Sequence, residues 1–140
     1  MTLRVDNEAV KRTRFLVIGC GSIGRRHIKN LRALGADHIV AFDIRADARL
    51  AVAAQFKVEP VNTLEEAWAH GPQAAIIATP TSLHVSFAVS CALHRCHIFV
   101  EKPLSHTWDG IERLLNLGVC AAEKFLACER ETRITEGSLF

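Results

Sequence analysis

The chain has 140 residues, 49% of them apolar and 23% charged, with a formal net charge of +2. That is one domain's length with enough apolar content for a full core and enough charge for a soluble surface. The small net charge comes without zinc-finger spacing, a helix-turn-helix signature or an aromatic-rich RNA motif, which argues against nucleic-acid binding. No apolar stretch is long enough to span a bilayer, and the polar start Met1–Arg14 lacks a signal-peptide apolar region. A cytoplasmic location is the expectation, with no membrane partner. Five cysteines, Cys20, Cys91, Cys96, Cys120 and Cys128, form an odd set without a C-x-x-C pair and read as reduced thiols.

Residues 1–13 read as a flexible leader. Strand and helix patterns then alternate over 14–128. A first strand over about 14–20 ends in Gly19-Cys20-Gly21-Ser22-Ile23-Gly24, a G-x-G-x-x-G loop. An apolar run entering such a loop is the arrangement that brings a backbone against a pyrophosphate. Gly19 allows the turn, Gly21 leaves room for a phosphate, and Gly24 lets the following helix pack closely. The N–H groups at that helix start then face the anion with the helix dipole behind them. The helix runs over about 22–34, with Ile23, His27, Leu31 and Leu34 spaced for one face. His27 reads as a packing or surface residue. Lys11, Arg12, Arg14, Arg25, Arg26, Lys29 and Arg32 read as a solvated basic face.

A second strand over 38–43 closes with Asp43, about 20 residues after the last glycine. A carboxylate there accepts hydrogen bonds from the adenosine ribose hydroxyls and repels a 2′-phosphate, which favours NAD. Arg45 leaves NADP open, because a guanidinium can pair with a phosphate. An alanine-rich helix over 46–56, an extended piece Val58–Val61 and a capping box Thr63-Leu64-Glu65-Glu66 follow. Gly71-Pro72 stops the capped helix. Ala74–Ala78 is the fourth strand, Ser82–His94 a helix with Leu83, Phe87 and Cys91 on one face, and His97–Glu101 the fifth strand. A helix from about Thr107 carries Trp108, Ile111, Leu114 and Leu115. Phe125–Cys128 reads as a sixth strand and 129–140 as a tail. Continuous apolar strands alternating with helices predict a Rossmann-type, doubly wound parallel sheet of about six strands in three α/β/α layers, without a second domain. Cys91, His94, Cys96 and His97 could suggest a metal site. Their directions diverge where helix gives way to strand, so no metal is expected.

Ligands in such sheets lie beyond the carboxyl ends of the strands. Thr79-Pro80-Thr81-Ser82-Leu83-His84 and Glu101-Lys102-Pro103 both sit at that edge. Together with the glycine loop through His27 and with Asp43, they resemble the glucose–fructose oxidoreductase, inositol dehydrogenase and rhizopine-catabolism (Gfo/Idh/MocA) family. The resemblance covers roughly Phe15 to Leu104. It implies an NAD(P)-dependent oxidoreductase acting on CH–OH groups of a sugar or polyol. Gly19, Gly21, Ser22, Ile23 and Gly24 would hold the pyrophosphate, and Asp43, Ile44 and Arg45 the adenosine ribose. Thr79, Pro80, Thr81 and His84 would line the nicotinamide half, with Glu101 and Lys102 at its ribose. Lys102 would also be catalytic, holding or moving the proton of the reacting hydroxyl, and a cis bond is implied before Pro103. Proton loss must accompany hydride loss from an alcohol, and a partly desolvated lysine beside a cationic ring can take that proton.

The chain departs from the family in places. Arg95 stands where the family prefers a helix-ending glycine, and Gly118 interrupts a run expected to be helical. The family's second domain, which carries most substrate contacts, a catalytic histidine and the oligomer interface, has no counterpart in the 140 residues. Two readings follow: an oxidoreductase represented by its cofactor domain, or a stand-alone, non-catalytic nucleotide-binding or sensor module. An apolar face left by that domain predicts self-association, as a homodimer.

Overall fold

A computed structural model describes residues 6–117. In chain order the elements are α1 (Asn7–Arg12), β1 (Arg14–Ile18), α2 (Ser22–Ala33), β2 (His38–Phe42), α3 (Ala46–Phe56), β3 (Glu59–Val61), α4 (Leu64–Ala69) and β4 (Ala74–Ile77). A 3₁₀ turn (Thr81–Leu83), α5 (His84–Leu93), β5 (His97–Val100) and α6 (Ile111–Asn116) complete them. The predicted sixth strand, the tail, Gly118, Cys120 and Cys128 lie outside the described residues.

All strand pairs are parallel, in the order β3-β2-β1-β4-β5. The chain winds outward from β1 through β2 to β3, then returns to β4 on the other side of β1. The switch point therefore lies between β1 and β4, where a doubly wound sheet opens its ligand crevice. Both faces are covered. Leu16 and Ile18 pack with α4, α5 and α6 through Ala67, Val85, Ala88, Ile111 and Leu114. Val17 packs with α2 and α3 through Ile28, Leu31 and Val52. This two-sided burial explains why the strands read as continuous apolar runs rather than as alternating ones.

Four expectations change. Residues 7–12 form a helix instead of a loose leader. Asp6 caps it by accepting from the N–H groups of Glu8 and Ala9 at 3.0 and 3.3 Å, and acidic and basic residues occupy its first and last turns. The buried face of α2 is Gly24, Ile28 and Leu31; Ile23 and Leu34 are exposed. Gly24 must touch the end of β1, and that contact sets the rotation of the whole helix. In α5 the buried set is His84, Val85, Ala88, Val89 and Cys91, one position on from the predicted Leu83 and Phe87. The last helix begins at Ile111, leaving Trp108 60% exposed ahead of it.

The local capping signals hold. Thr63 accepts from the Glu66 N–H at 3.1 Å, while the Glu66 carboxylate reaches back one residue further, to the Asn62 N–H at 2.7 Å. Arg95 takes φ of 55°, so the turn that ends α5 is left-handed even without the family's glycine.

Candidate functional site

The three motif glycines do three different things. Gly19 turns the chain with φ of +99°, and a Cβ there would lie 2.6 Å from the Ala78 carbonyl oxygen. Gly24 sits so close under the turn that its Cβ would meet the Gly19 oxygen at 1.7 Å. Gly21, the N-cap of α2, has nothing within 4 Å of a Cβ position. The space above Gly21 is thus open, at the N-terminus of a twelve-residue helix whose first N–H groups lack a side-chain cap. Ser22 and Ile23 open that helix, both exposed. The missing side chain at Gly21 leaves the backbone bare at this helix start, an arrangement that can accept an anion.

Asp43 stands at the end of β2 with both oxygens engaged. Oδ2 accepts from the Cys20 N–H and Oδ1 from the Arg45 N–H, each at 2.8 Å. Two backbone donors fix the carboxylate plane and leave each oxygen a further lone pair. Arg49 braces the same residue from α3, donating to the Asp43 carbonyl at 3.1 Å and to Asn62 Oδ1 at 2.8 Å. Ile44 is exposed beside it. Burial first, and then the Asp43 carboxylate, push the Cys20 thiol up to about 12, with Arg25 and Arg49 pulling partway back. Cys20 is therefore a packed thiol under the loop and no nucleophile.

Across the switch point, β4 and β5 deliver the other two strings. The Ala78 N–H donates to the Ile18 carbonyl at 2.8 Å and the Glu101 N–H to the Ile77 carbonyl at 3.1 Å, so register carries past the strand ends. Thr79 and Thr81 are partly buried and Pro80 is exposed. The Lys102–Pro103 bond is cis, as the resemblance implies. Lys102 is exposed at the same rim.

His84 differs from a residue that lines a ligand. It is 1% exposed, with Nδ1 2.9 Å from the Pro103 carbonyl and Nε2 2.8 Å from the Thr79 carbonyl. Both ring nitrogens are used on the chain itself. His84 ties the loop after β4 to the loop after β5.

His27, predicted as packing or surface, contacts the candidate site residue Glu101. Its Nε2 hydrogen-bonds Glu101 Oε1, and its ring meets Phe99 edge-on, with centroids 5.4 Å apart. The two partners are 74 residues apart in sequence, so no local pattern announces them. The one available signal was position: His27 lies a single turn beyond Gly24 on α2. Arg32 is a second residue that sequence reading placed in a solvated face. Its guanidinium donates to the carbonyls of Phe56, Ala36, Asp37 and Lys57 at 2.6–3.1 Å, clamping two loops at the opposite sheet edge. Among the described residues no group of three or more His, Cys, Asp or Glu is arranged to hold a metal. Cys91 and Cys96 are buried, and His94 and His97 are exposed, with His94 stacked on Trp68.

The sequence profile of an oxidoreductase family with an NAD-binding Rossmann fold (GFO_IDH_MocA) matches residues 13–125. A 4-carboxy-2-hydroxymuconate-6-semialdehyde dehydrogenase from Sphingobium sp. is 31% identical over 105 residues, covering 73% of this chain and 33% of that protein. A myo-inositol 2-dehydrogenase from Thermotoga maritima is 29% identical over 106 residues, covering 71% and 30%. The WlbA dehydrogenase from Bordetella pertussis, solved with NADH and UDP-GlcNAcA, superposes with a TM-score of 0.69 at 27% identity, covering 81% of this chain and 34% of that one. The chain spans about a third of the length of the curated relatives it matches.

Proposed function

Because the chain belongs to this NAD-binding Rossmann-fold oxidoreductase family, we propose that residues 14–128 form the cofactor domain of an oxidoreductase acting on an alcohol or ketone of sugar or polyol type. The observation that carries the reading is the pinned Asp43 carboxylate beside the open space over Gly21. Gly19, Gly21, Ser22, Ile23 and Gly24 hold the pyrophosphate through backbone N–H groups. Asp43, Ile44 and Arg45 hold the adenosine ribose. Thr79, Pro80 and Thr81 line the nicotinamide half, and His84 positions that lining from beneath. Glu101 orients the nicotinamide ribose, itself oriented by His27. Bound nicotinamide supplies the hydride acceptor. Lys102 Nζ, exposed at this rim, is the group placed to hold or move the proton of the reacting hydroxyl as its carbon is oxidised. The polyol class is supported by the inositol dehydrogenase among the relatives. Buried thiols at Cys20, Cys91 and Cys96 favour the cytoplasm. No helix among the described residues is long and apolar enough to cross a membrane.

Fluorescence titration with NADH tests the reading: saturable binding is expected, and its absence overturns it. Lys102→Ala should keep NADH binding and lose any turnover over a panel of sugars and polyols. Binding without turnover in the unaltered chain would favour a non-catalytic nucleotide-binding module. Retained turnover in Lys102→Ala would remove Lys102 from the chemistry.

A further inference from the structure

Arg45 is the cation next to the ribose carboxylate in the chain, and one edge of its guanidinium is already taken by a carboxylate. Its Nε donates to Asp47 Oδ1 at 3.3 Å and a terminal nitrogen donates to Oδ2 at 2.5 Å, a two-bond fork. We propose that Asp47 is a specificity-determining residue: by holding the Arg45 fork it denies that fork to a 2′-phosphate and makes the site select NAD over NADP. The inference rests on the dinucleotide reading above and adds to it the residue that settles the choice of cofactor.

The backbone explains why Arg45 matters here. Its N–H is bonded to Asp43 Oδ1, and it is the N-cap of α3. Its Cα therefore keeps a fixed place beside the carboxylate that would meet the ribose. A guanidinium's planar fork suits a phosphate as well as a carboxylate. The other cation at this end, Arg49, has both terminal nitrogens on the Asp43 carbonyl and Asn62. Asp47 lies in the first turn of α3, where the helix dipole favours a carboxylate. The fork raises Arg45 above its ordinary range and lowers Asp47 below its own. A 2′-phosphate would have to displace Asp47 from the Nε edge or take the remaining edge of a guanidinium already neutralised by Asp47, and in either case lie against two carboxylates, Asp43 and Asp47. With Asp47 gone, it meets a free guanidinium and a single carboxylate.

The side chains are 71% and 69% exposed, so the lock is a surface pair and the effect is moderate and salt-sensitive. The test is parallel titration of the full chain with NADH and NADPH. Asp47→Ala and Asp47→Asn should each raise the NADPH-to-NADH affinity ratio about twofold to fivefold at low salt. The gain should shrink at high salt and vanish in the Asp47→Ala/Arg45→Ala double variant. An unchanged ratio in Asp47→Ala overturns the proposal, and so does a gain that survives removal of Arg45. Failure of the unaltered chain to bind NADH would instead overturn the dinucleotide reading itself, and this inference with it.

Discussion

Replacing Gly24 by alanine places a methyl carbon 1.7 Å from the Gly19 carbonyl oxygen, more than an ångström inside the 3.0 Å floor for real Cβ contacts. The obstacle is backbone, so no side chain can swing aside. Helix α2 must retreat, and it carries Ile28 and Leu31 out of their packing with Val17 and Ile39. Overpacking of this kind costs about 1–3 kcal/mol, and moving a whole helix belongs at the upper end. A loss of about 3 kcal/mol lowers the melting temperature of a domain this size by about 10 °C. Gly21→Ala is the matched control, since its Cβ meets nothing within 4 Å. There the smaller entropy of the unfolded chain offsets the poorer N-cap, and stability stays within about 1 kcal/mol. The new methyl instead stands where a pyrophosphate would approach the α2 amides. Losing one or two charge-assisted hydrogen bonds weakens NADH binding by about 10- to 100-fold. Thermal melts and NADH titrations of both variants separate the two roles. Equal melting losses in the two, or wild-type NADH affinity in Gly21→Ala, would refute the assignment of packing to one glycine and ligand approach to the other.

Removing the imidazole in His27→Ala should free Glu101 and weaken NADH binding about fivefold without abolishing it, with His27→Gln recovering part of the loss; identical affinities in all three proteins would show that the contact orients nothing. Arg32→Ala removes a guanidinium that serves four carbonyls, and should cost about 3 kcal/mol in urea unfolding while leaving NADH affinity unchanged. A stability loss under about 0.5 kcal/mol would show that water replaces it freely. Stability should also fall at alkaline pH. Cys20, raised to about 12, and Cys91, also raised by burial, keep their protons in the folded chain after unfolded thiols have lost theirs. Their contribution is full below about pH 9 and is lost progressively as pH rises toward 12. Urea midpoints at about pH 7, 9 and 11 should decline over the last interval, and less steeply in Cys20→Ala; a flat profile above pH 9 would count against buried thiols as the cause.

Much of this protein is settled by short-range pattern. The apolar run into Gly19–Gly24, the spacing to Asp43, and the Thr63–Glu66 cap depend on neighbours within a few residues or one βα unit, and residue types alone determine them. The parallel sheet follows, because strands that are apolar on both faces need helices on both sides. Tertiary structure decided the rest. The rotation of α2 came from Gly24 pressing on the Gly19 turn, which turned Ile28 inward and left Ile23 outside. The pairing of His27 with Glu101 joins two elements through the folded sheet, across 74 residues. His84 became a tie between two loops because Thr79 and Pro103 present their carbonyls to opposite edges of one ring. Arg32 left its basic face for four carbonyls that only the packed loops bring together. Composition and periodicity report which faces are apolar and which loops are tight. They do not report where a polar side chain finds its partner, because that partner is supplied by a distant strand or loop and its position exists only once the sheet has formed.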